Sequence, residues 1–171
     1  MTKRKVALED RAEIEELMAR YAWALDTGDV DGFVACFCRD GALVWDAFEE
    51  PERWQGAEAL RHFAAFFRSL PTSAGRQHHV SNTLVTASGD GASSRSYVAV
   101  AVRQGQGPHL LSVMGYYEDR FRREEGHWRL AERVIRDWSG PILRAFAGQT
   151  GERVARPKPE PLRGAAFPPK D

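Results

Sequence analysis

The sequence predicts an α+β domain in which three N-terminal helices pack on the concave face of a bent, mostly antiparallel β-sheet. Two observations carry this prediction. Apolar residues recur at helical spacing through the first part of the chain, and they alternate with period two from residue 77 to residue 137. Because helices and strands are segregated along the chain, the helices are expected to cover one face of the sheet and to enclose a cone-shaped hollow.

Three helices and one or two short strands, the second near Trp54, are predicted before residue 71. Asp29 can cap a short second helix, and a strand follows at residues 42–45. A third and more apolar helix is predicted over residues 57–70 and stops at Pro71. The first helix, residues 8–26, is predicted from apolar residues three and four positions apart: Ile14, Leu17, Met18, Tyr21 and Leu25.

The second half of the chain is predicted to be a meander of four strands. Glycine-rich turns separate the strands, which are expected at residues 77–88, 95–103, 109–122 and 127–137. A single domain is therefore expected over residues 1–147. Residues 148–171 carry most of the prolines and form a tail that is expected to lie on the surface or to reach a partner subunit.

The composition disfavours nucleic acid and membranes as partners. The chain has 171 residues, with 24 Lys and Arg against 24 Asp and Glu, so no net field attracts a polyanion. No apolar run approaches the ~20 residues of a membrane span, and the N-terminus lacks an apolar signal core, so a cytoplasmic protein is expected. Cys36 and Cys38 are interpreted as packing residues.

Two adjacent histidines in the stretch GRQHHVSN, residues 75–82, open the first strand of the meander. Side chains alternate across a strand, so His78 and His79 must point to opposite faces and cannot bind one metal ion; no metal site is expected. His78 is the predicted inward residue, because its face is the more apolar one. That face carries His78, Val80, Asn82 and Leu84.

An imidazole in an apolar hollow needs a polar partner, and Asp26 at the end of the first helix is the candidate. It extends a helical row of buried positions, and Tyr21 lies about one turn earlier. A carboxylate bonded to imidazole fixes its tautomer and raises its basicity, and a nearby phenol can donate to a developing charge. Spacing alone also suits a structural Asp26–His78 pair and a core Tyr21, so both interpretations stay open.

Three segments of the chain together resemble the SnoaL-like branch of the NTF2-like superfamily over about residues 8–140: RAEIEELMARYAWALDTGDVDGFVACFCRDGALVW, RQHHVSN and GYYEDRFRREEGHWRLAERVIRDW. The enzymatic models are scytalone dehydratase, bile acid 7α-dehydratase and hexachlorocyclohexane dehydrochlorinase. The resemblance implies the cone described above and a base dyad of Asp26 and His78. It also carries the tyrosine of the bile acid enzyme onto Tyr21.

Several positions depart from scytalone dehydratase. Trp45 stands where that enzyme has a pocket tyrosine. The position of the enzyme's second histidine falls near Val102 and Arg103, so no histidine takes that role here. The serine and asparagine that scytalone dehydratase places in its pocket correspond to positions near Met114 and Tyr116. Substrate identity therefore does not transfer.

The sequence thus predicts a cofactor-independent lyase, similar to a dehydratase, acting on a hydrophobic cyclic molecule of polyketide, steroid or terpenoid type. Two alternatives stay open: an isomerase or cyclase with the same base, and a non-catalytic ligand-binding or small-subunit module like that of ring-hydroxylating dioxygenases. The resemblance also implies a homodimer or homotrimer. The expected cavity walls are Trp45, Phe63, Phe67, Val80, Tyr97 and Met114, with Asn82 as a polar contact.

Overall fold

A computed structural model describes residues 6–103 and 105–158. Its first and third α-helices agree with the predicted ones to within one residue at each end, and the short second helix is present. Asp29 caps the second helix, since its Oδ1 accepts a hydrogen bond from the Gly32 N–H at 2.9 Å. Gly28 ends the first helix in the left-handed conformation, with φ 74°. The helices are α1 Leu8–Thr27, α2 Val30–Ala35 and α3 Gly56–Ser69.

The strands form one six-stranded sheet in the order β2-β1-β6-β5-β4-β3. β1 pairs in parallel with β6, and every other neighbouring pair is antiparallel. β2 and β3 are consequently the two edge strands. Pairing with β6 begins at Phe37, so β1 is longer than the strand predicted at residues 42–45. The strands are β1 Phe37–Asp46, β2 Glu52–Gln55, β3 Gln77–Ser88, β4 Gly91–Arg103, β5 His109–Glu124 and β6 His127–Asp137.

All three helices pack on one face of the sheet, here called the inner face. Aromatic rings fill much of the space between α2, α3 and β2: the Phe63 ring lies 4.7 Å from Trp54 and 5.7 Å from Phe33 between centroids. Both cysteines are buried and free, in keeping with a packing role. The fold is α+β, as predicted.

The chain after β6 is tied to the loop that follows β1. Arg153 Nε lies 2.8 Å from Asp46 Oδ1, and Arg156 N–H donates to the Ala47 carbonyl at 2.9 Å. Lys158 pairs with the buried Glu52. Residues 153–158 of the predicted tail therefore pack on the domain, whereas residues 159–171 lie outside the described part of the chain. None of the described helices is long and apolar enough to cross a membrane.

Candidate active site

Asp26 and His78 contact each other where the end of α1 meets the start of β3. The Asp26 carboxylate accepts two hydrogen bonds from this one residue: Oδ1 lies 2.5 Å from ring nitrogen Nδ1, and Oδ2 lies 2.7 Å from the backbone nitrogen. One bond fixes the ring and the other fixes the strand that carries it. With Nδ1 donating, the tautomer leaves the lone pair of Nε2 free.

His78 lines an open groove between α1 and the edge strand β3. The groove has a volume of about 660 Å³, within the range of small-molecule sites. The His78 side chain is 10% exposed and that of Asp26 15%, so the pair is largely dehydrated yet reachable. The groove is lined by Arg11, Glu15, Met18, Ala19, Ala22 and Trp23 from α1 and by His78, His79, Val80, Ser81 and Thr83 from β3.

The electrostatic surroundings keep the His78 imidazole neutral. Burial lowers its pKa from the ordinary value of 6.5, and the charges of Arg76 and Arg133 act in the same direction. The Asp26 hydrogen bond opposes this, but the net shift is downward. Burial therefore outweighs the gain in basicity expected from Asp26 alone, and at pH 7 the ring is ready to accept a proton.

Tyr21 is buried about one turn of α1 before Asp26, with its ring against a buried arginine. The Arg133 Cζ lies 4.1 Å from the Tyr21 ring centroid and 4.2 Å from that of Tyr117. Arg133 also donates from Nε and Nη2 to the two carboxylate oxygens of Asp119, at 2.9 and 2.8 Å. Burial raises the pKa of Tyr21 to about 12, so its phenol stays protonated.

Two arginines whose charges lower the pKa of His78 each keep an N–H without a hydrogen-bond partner among the described residues. Arg133 is fully buried, and its Nη1 is unpaired although Asp119 occupies the other side of the group. Arg76 Nε is shielded from solvent and likewise unpaired. Each arginine therefore keeps one shielded donor that could bind a further acceptor, although neither side chain is among those that line the groove.

The aromatic residues predicted to line a cavity pack mainly against one another. The Trp45 ring contacts Phe67 at 6.0 Å and Phe48 at 5.1 Å, and Phe63 contacts Phe67 at 4.7 Å between centroids. None of these aromatic residues is among those lining the groove, whereas the predicted Val80 is.

Tyr97 and Met114 were predicted on the cavity wall, and the structure places them on the opposite, outer face. Tyr97 pairs across the ladder with Tyr116, and Met114 pairs with Ala99, while Val98 and the residues in phase with it point inward. Met114 is 60% exposed. Because side chains alternate along β4 and β5, Tyr97 and Met114 cannot share a face with Val98 and the other inward-pointing valines.

Asn82 was predicted as a polar contact within the cavity and lies outside it. The register of β3 against β4 shifts between Ser81 and Leu84, and Asn82 occupies the left-handed region with φ 53°. This β-bulge reverses the alternation, so Leu84 becomes exposed and Val85 packs on the core instead.

The sequence interpretation missed Arg76, Tyr117, Asp119 and Arg133. Arg76 lies in the same GRQHHVSN stretch as His78, one residue before β3, and its place next to the histidine pair is the signal that could have drawn attention to it. Arg133 was hidden by a second irregularity: β6 shifts register between Leu130 and Glu132, which turns Arg133 inward opposite Asp119. Among the described residues, no cluster of three His, Cys, Asp or Glu side chains could hold a metal ion.

The amino-acid sequence matches the model of the SnoaL-like domain over residues 6–134. The chain belongs to the SnoaL-like domain family. A search of curated proteins finds no significant match to this SnoaL-like protein.

Solved structures share the fold of this SnoaL-like chain. A variant of Rv3472, a protein of unknown function from Mycobacterium tuberculosis, is 28% identical, with a TM-score of 0.68 over 82% of this chain and 78% of that one. An NTF2-like protein with a cystatin-like fold from Novosphingobium aromaticivorans is 28% identical, with a TM-score of 0.68 over 78% and 84%. A proposed scytalone dehydratase of the same organism, 24% identical with a TM-score of 0.64 over 76% and 85%, supports the fold alone.

Proposed function

We propose that this SnoaL-like protein is a cofactor-independent lyase of dehydratase type, with His78 as the base and Asp26 as its orienting partner. The hydrogen bond of 2.5 Å from His78 Nδ1 to Asp26 supports the proposal, because it leaves Nε2 of a neutral imidazole available beside an open groove. The substrate is a hydrophobic cyclic molecule that carries a carbonyl group and a hydroxyl group on the β-carbon.

The reaction needs only the side chains of this chain. Nε2 takes the proton from the carbon next to the carbonyl, and Asp26 stabilises the imidazolium that forms. A carbon–carbon double bond forms as the carbon–oxygen bond to the hydroxyl breaks, and the imidazolium returns its proton to that oxygen to release water. Tyr21, protonated at all physiological pH, is proposed to donate a hydrogen bond to a substrate oxygen.

A second candidate is a non-catalytic binding or assembly module. It is favoured by the packing of Phe63, which is 2% exposed and surrounded by other aromatic rings, so that this part of the cone is filled. The predicted homodimer or homotrimer stays a prediction. The outer face of the sheet does expose large apolar side chains on which a second copy could pack: Leu84, Tyr97, Leu111 and Met114.

Incubation with bicyclic and tetracyclic β-hydroxy ketones in deuterated buffer, without added cofactor, tests the function. We expect the absorbance of a conjugated enone to appear and solvent deuterium to enter the carbon next to the carbonyl. Deuterium incorporation without loss of water would identify an isomerase or cyclase using the same base. Tight ligand binding with neither product nor exchange would contradict the lyase and support the binding module.

A further inference from the structure

Arg76 is a shielded cation without an acidic partner. No carboxylate of the described residues lies within 4.0 Å of its guanidinium, and its Nε is hidden from solvent with no hydrogen-bond acceptor. A shielded arginine N–H without an acceptor costs free energy. We therefore expect this N–H to gain a hydrogen-bond acceptor when a ligand is bound.

The position of Arg76 is fixed by an aromatic ring. Its Cζ lies 4.9 Å from the centroid of Phe67, a residue of α3 that is itself buried. The stacking defines the plane of the guanidinium before any ligand arrives. A donor held in place in advance needs no reorganisation when charge appears beside it.

The carboxylates that bind His78 and Arg133 are already engaged. Both oxygens of Asp26 accept hydrogen bonds from His78, and both oxygens of Asp119 accept from Arg133. Arg76 is nevertheless close enough to the base for its charge to lower the pKa of His78. An anionic oxygen formed next to His78 is therefore the acceptor that the described surroundings of Arg76 lack.

We infer that Arg76 binds the substrate oxygen on which negative charge develops when His78 removes a proton, so the substrate class is ketones that react through an enolate. This inference rests on the proposed function, in which His78 is the base. Charge stabilisation by a fixed donor is strongest where water is excluded, as it is around Arg76 Nε. Arg76 lies immediately before β3 and two residues from His78, so the two residues are neighbours at the start of the strand.

Binding of 4-nitrophenol, a stable mimic of an enolic hydroxyl, tests this inference without turnover. The absorbance of the bound phenolate gives the pKa of the bound phenol. We expect the wild-type protein to lower that pKa relative to free phenol. Arg76→Met, which keeps an apolar stem on Phe67, is expected to raise it by about one unit, a tenfold change in the ionisation constant. Arg76→Lys should restore part of the shift.

Arg68→Gln, at an exposed position on α3, removes one positive charge elsewhere and should leave the pKa of the bound phenol unchanged. His78→Gln distinguishes failure of the proposed function from failure of this inference: it should lower turnover in the ketone assay by roughly 10²–10⁴-fold but preserve the lowered phenol pKa. An unchanged phenol pKa in a folded Arg76→Met variant, or failure of the wild type to bind the phenolate, would overturn the role of Arg76. If Arg76→Met abolishes binding of the carboxylate 4-nitrobenzoate but leaves the phenol pKa unchanged, Arg76 is an anchor for a substrate carboxylate and the inference is overturned.

Discussion

Replacing His78 with glutamine is expected to lower turnover by roughly 10²–10⁴-fold, the range for loss of a positioned general base. Glutamine can still donate a hydrogen bond to Asp26, so the contact between α1 and β3 is partly kept while the proton acceptor is lost. Initial rates of enone formation in the ketone assay, together with circular dichroism spectra and urea unfolding curves, would separate lost chemistry from lost folding.

The neighbouring His79 provides the matched control. It lines the same groove and is exposed, but no acidic residue orients it among the described residues. His79→Gln should therefore retain turnover within a few-fold of the wild type. Equal losses in the two variants, or full activity in His78→Gln, would remove His78 from the role of base.

Asp119→Ala is expected to destabilise the protein by about 3–5 kcal/mol, because it leaves Arg133 as an uncompensated charge in the core. Both side chains are 0% exposed, and two hydrogen bonds join them. The free energy of unfolding from urea titration at pH 7 gives the magnitude. The same loss should slow turnover, since Arg133 contacts Tyr21 and its charge influences His78.

A surface pair supplies the comparison for this stability effect. Arg11 and Glu15 lie 2.8 Å apart with both side chains about half exposed, so Glu15→Ala should change the free energy of unfolding by less than about 1 kcal/mol. The double variant Asp119→Leu with Arg133→Met removes both charges and should be far more stable than Asp119→Ala. Comparable losses for Asp119→Ala and Glu15→Ala would show that the buried pair contributes little.

Most of the fold followed from the sequence because its signals are local. The helical period of α1, the cap at Asp29 and the stop at Pro71 predicted the three helices, and alternation between glycine-rich turns predicted β3 to β6. The parallel pairing of β1 with β6 could not be predicted, because it joins residues at least 90 positions apart, as Ala42 and Glu132 are, and leaves no local pattern. The same pairing extends β1 back to Phe37, beyond the residues 42–45 at which the strand was predicted.

The arrangement of side chains around His78 was predicted in part, and the errors have one physical origin. The contact between Asp26 and His78 was predicted because each lies on a regular element whose faces can be counted. Asn82 was misplaced and Arg133 missed because a β-bulge on β3 and a register shift on β6 reverse the alternation within a strand. A one-residue irregularity moves every later side chain of the strand to the other face, and the amino-acid composition does not predict where it occurs.

The most direct test of the account is the protonation state of His78, read from its ring ¹⁵N and ¹³C chemical shifts by NMR between pH 4 and pH 9. The account predicts a neutral ring at pH 7, protonated on Nδ1, with a pKa below the ordinary value of 6.5. A ring protonated on Nε2, or a pKa above that value, would mean that His78 is not the oriented, neutral base that the proposed function requires.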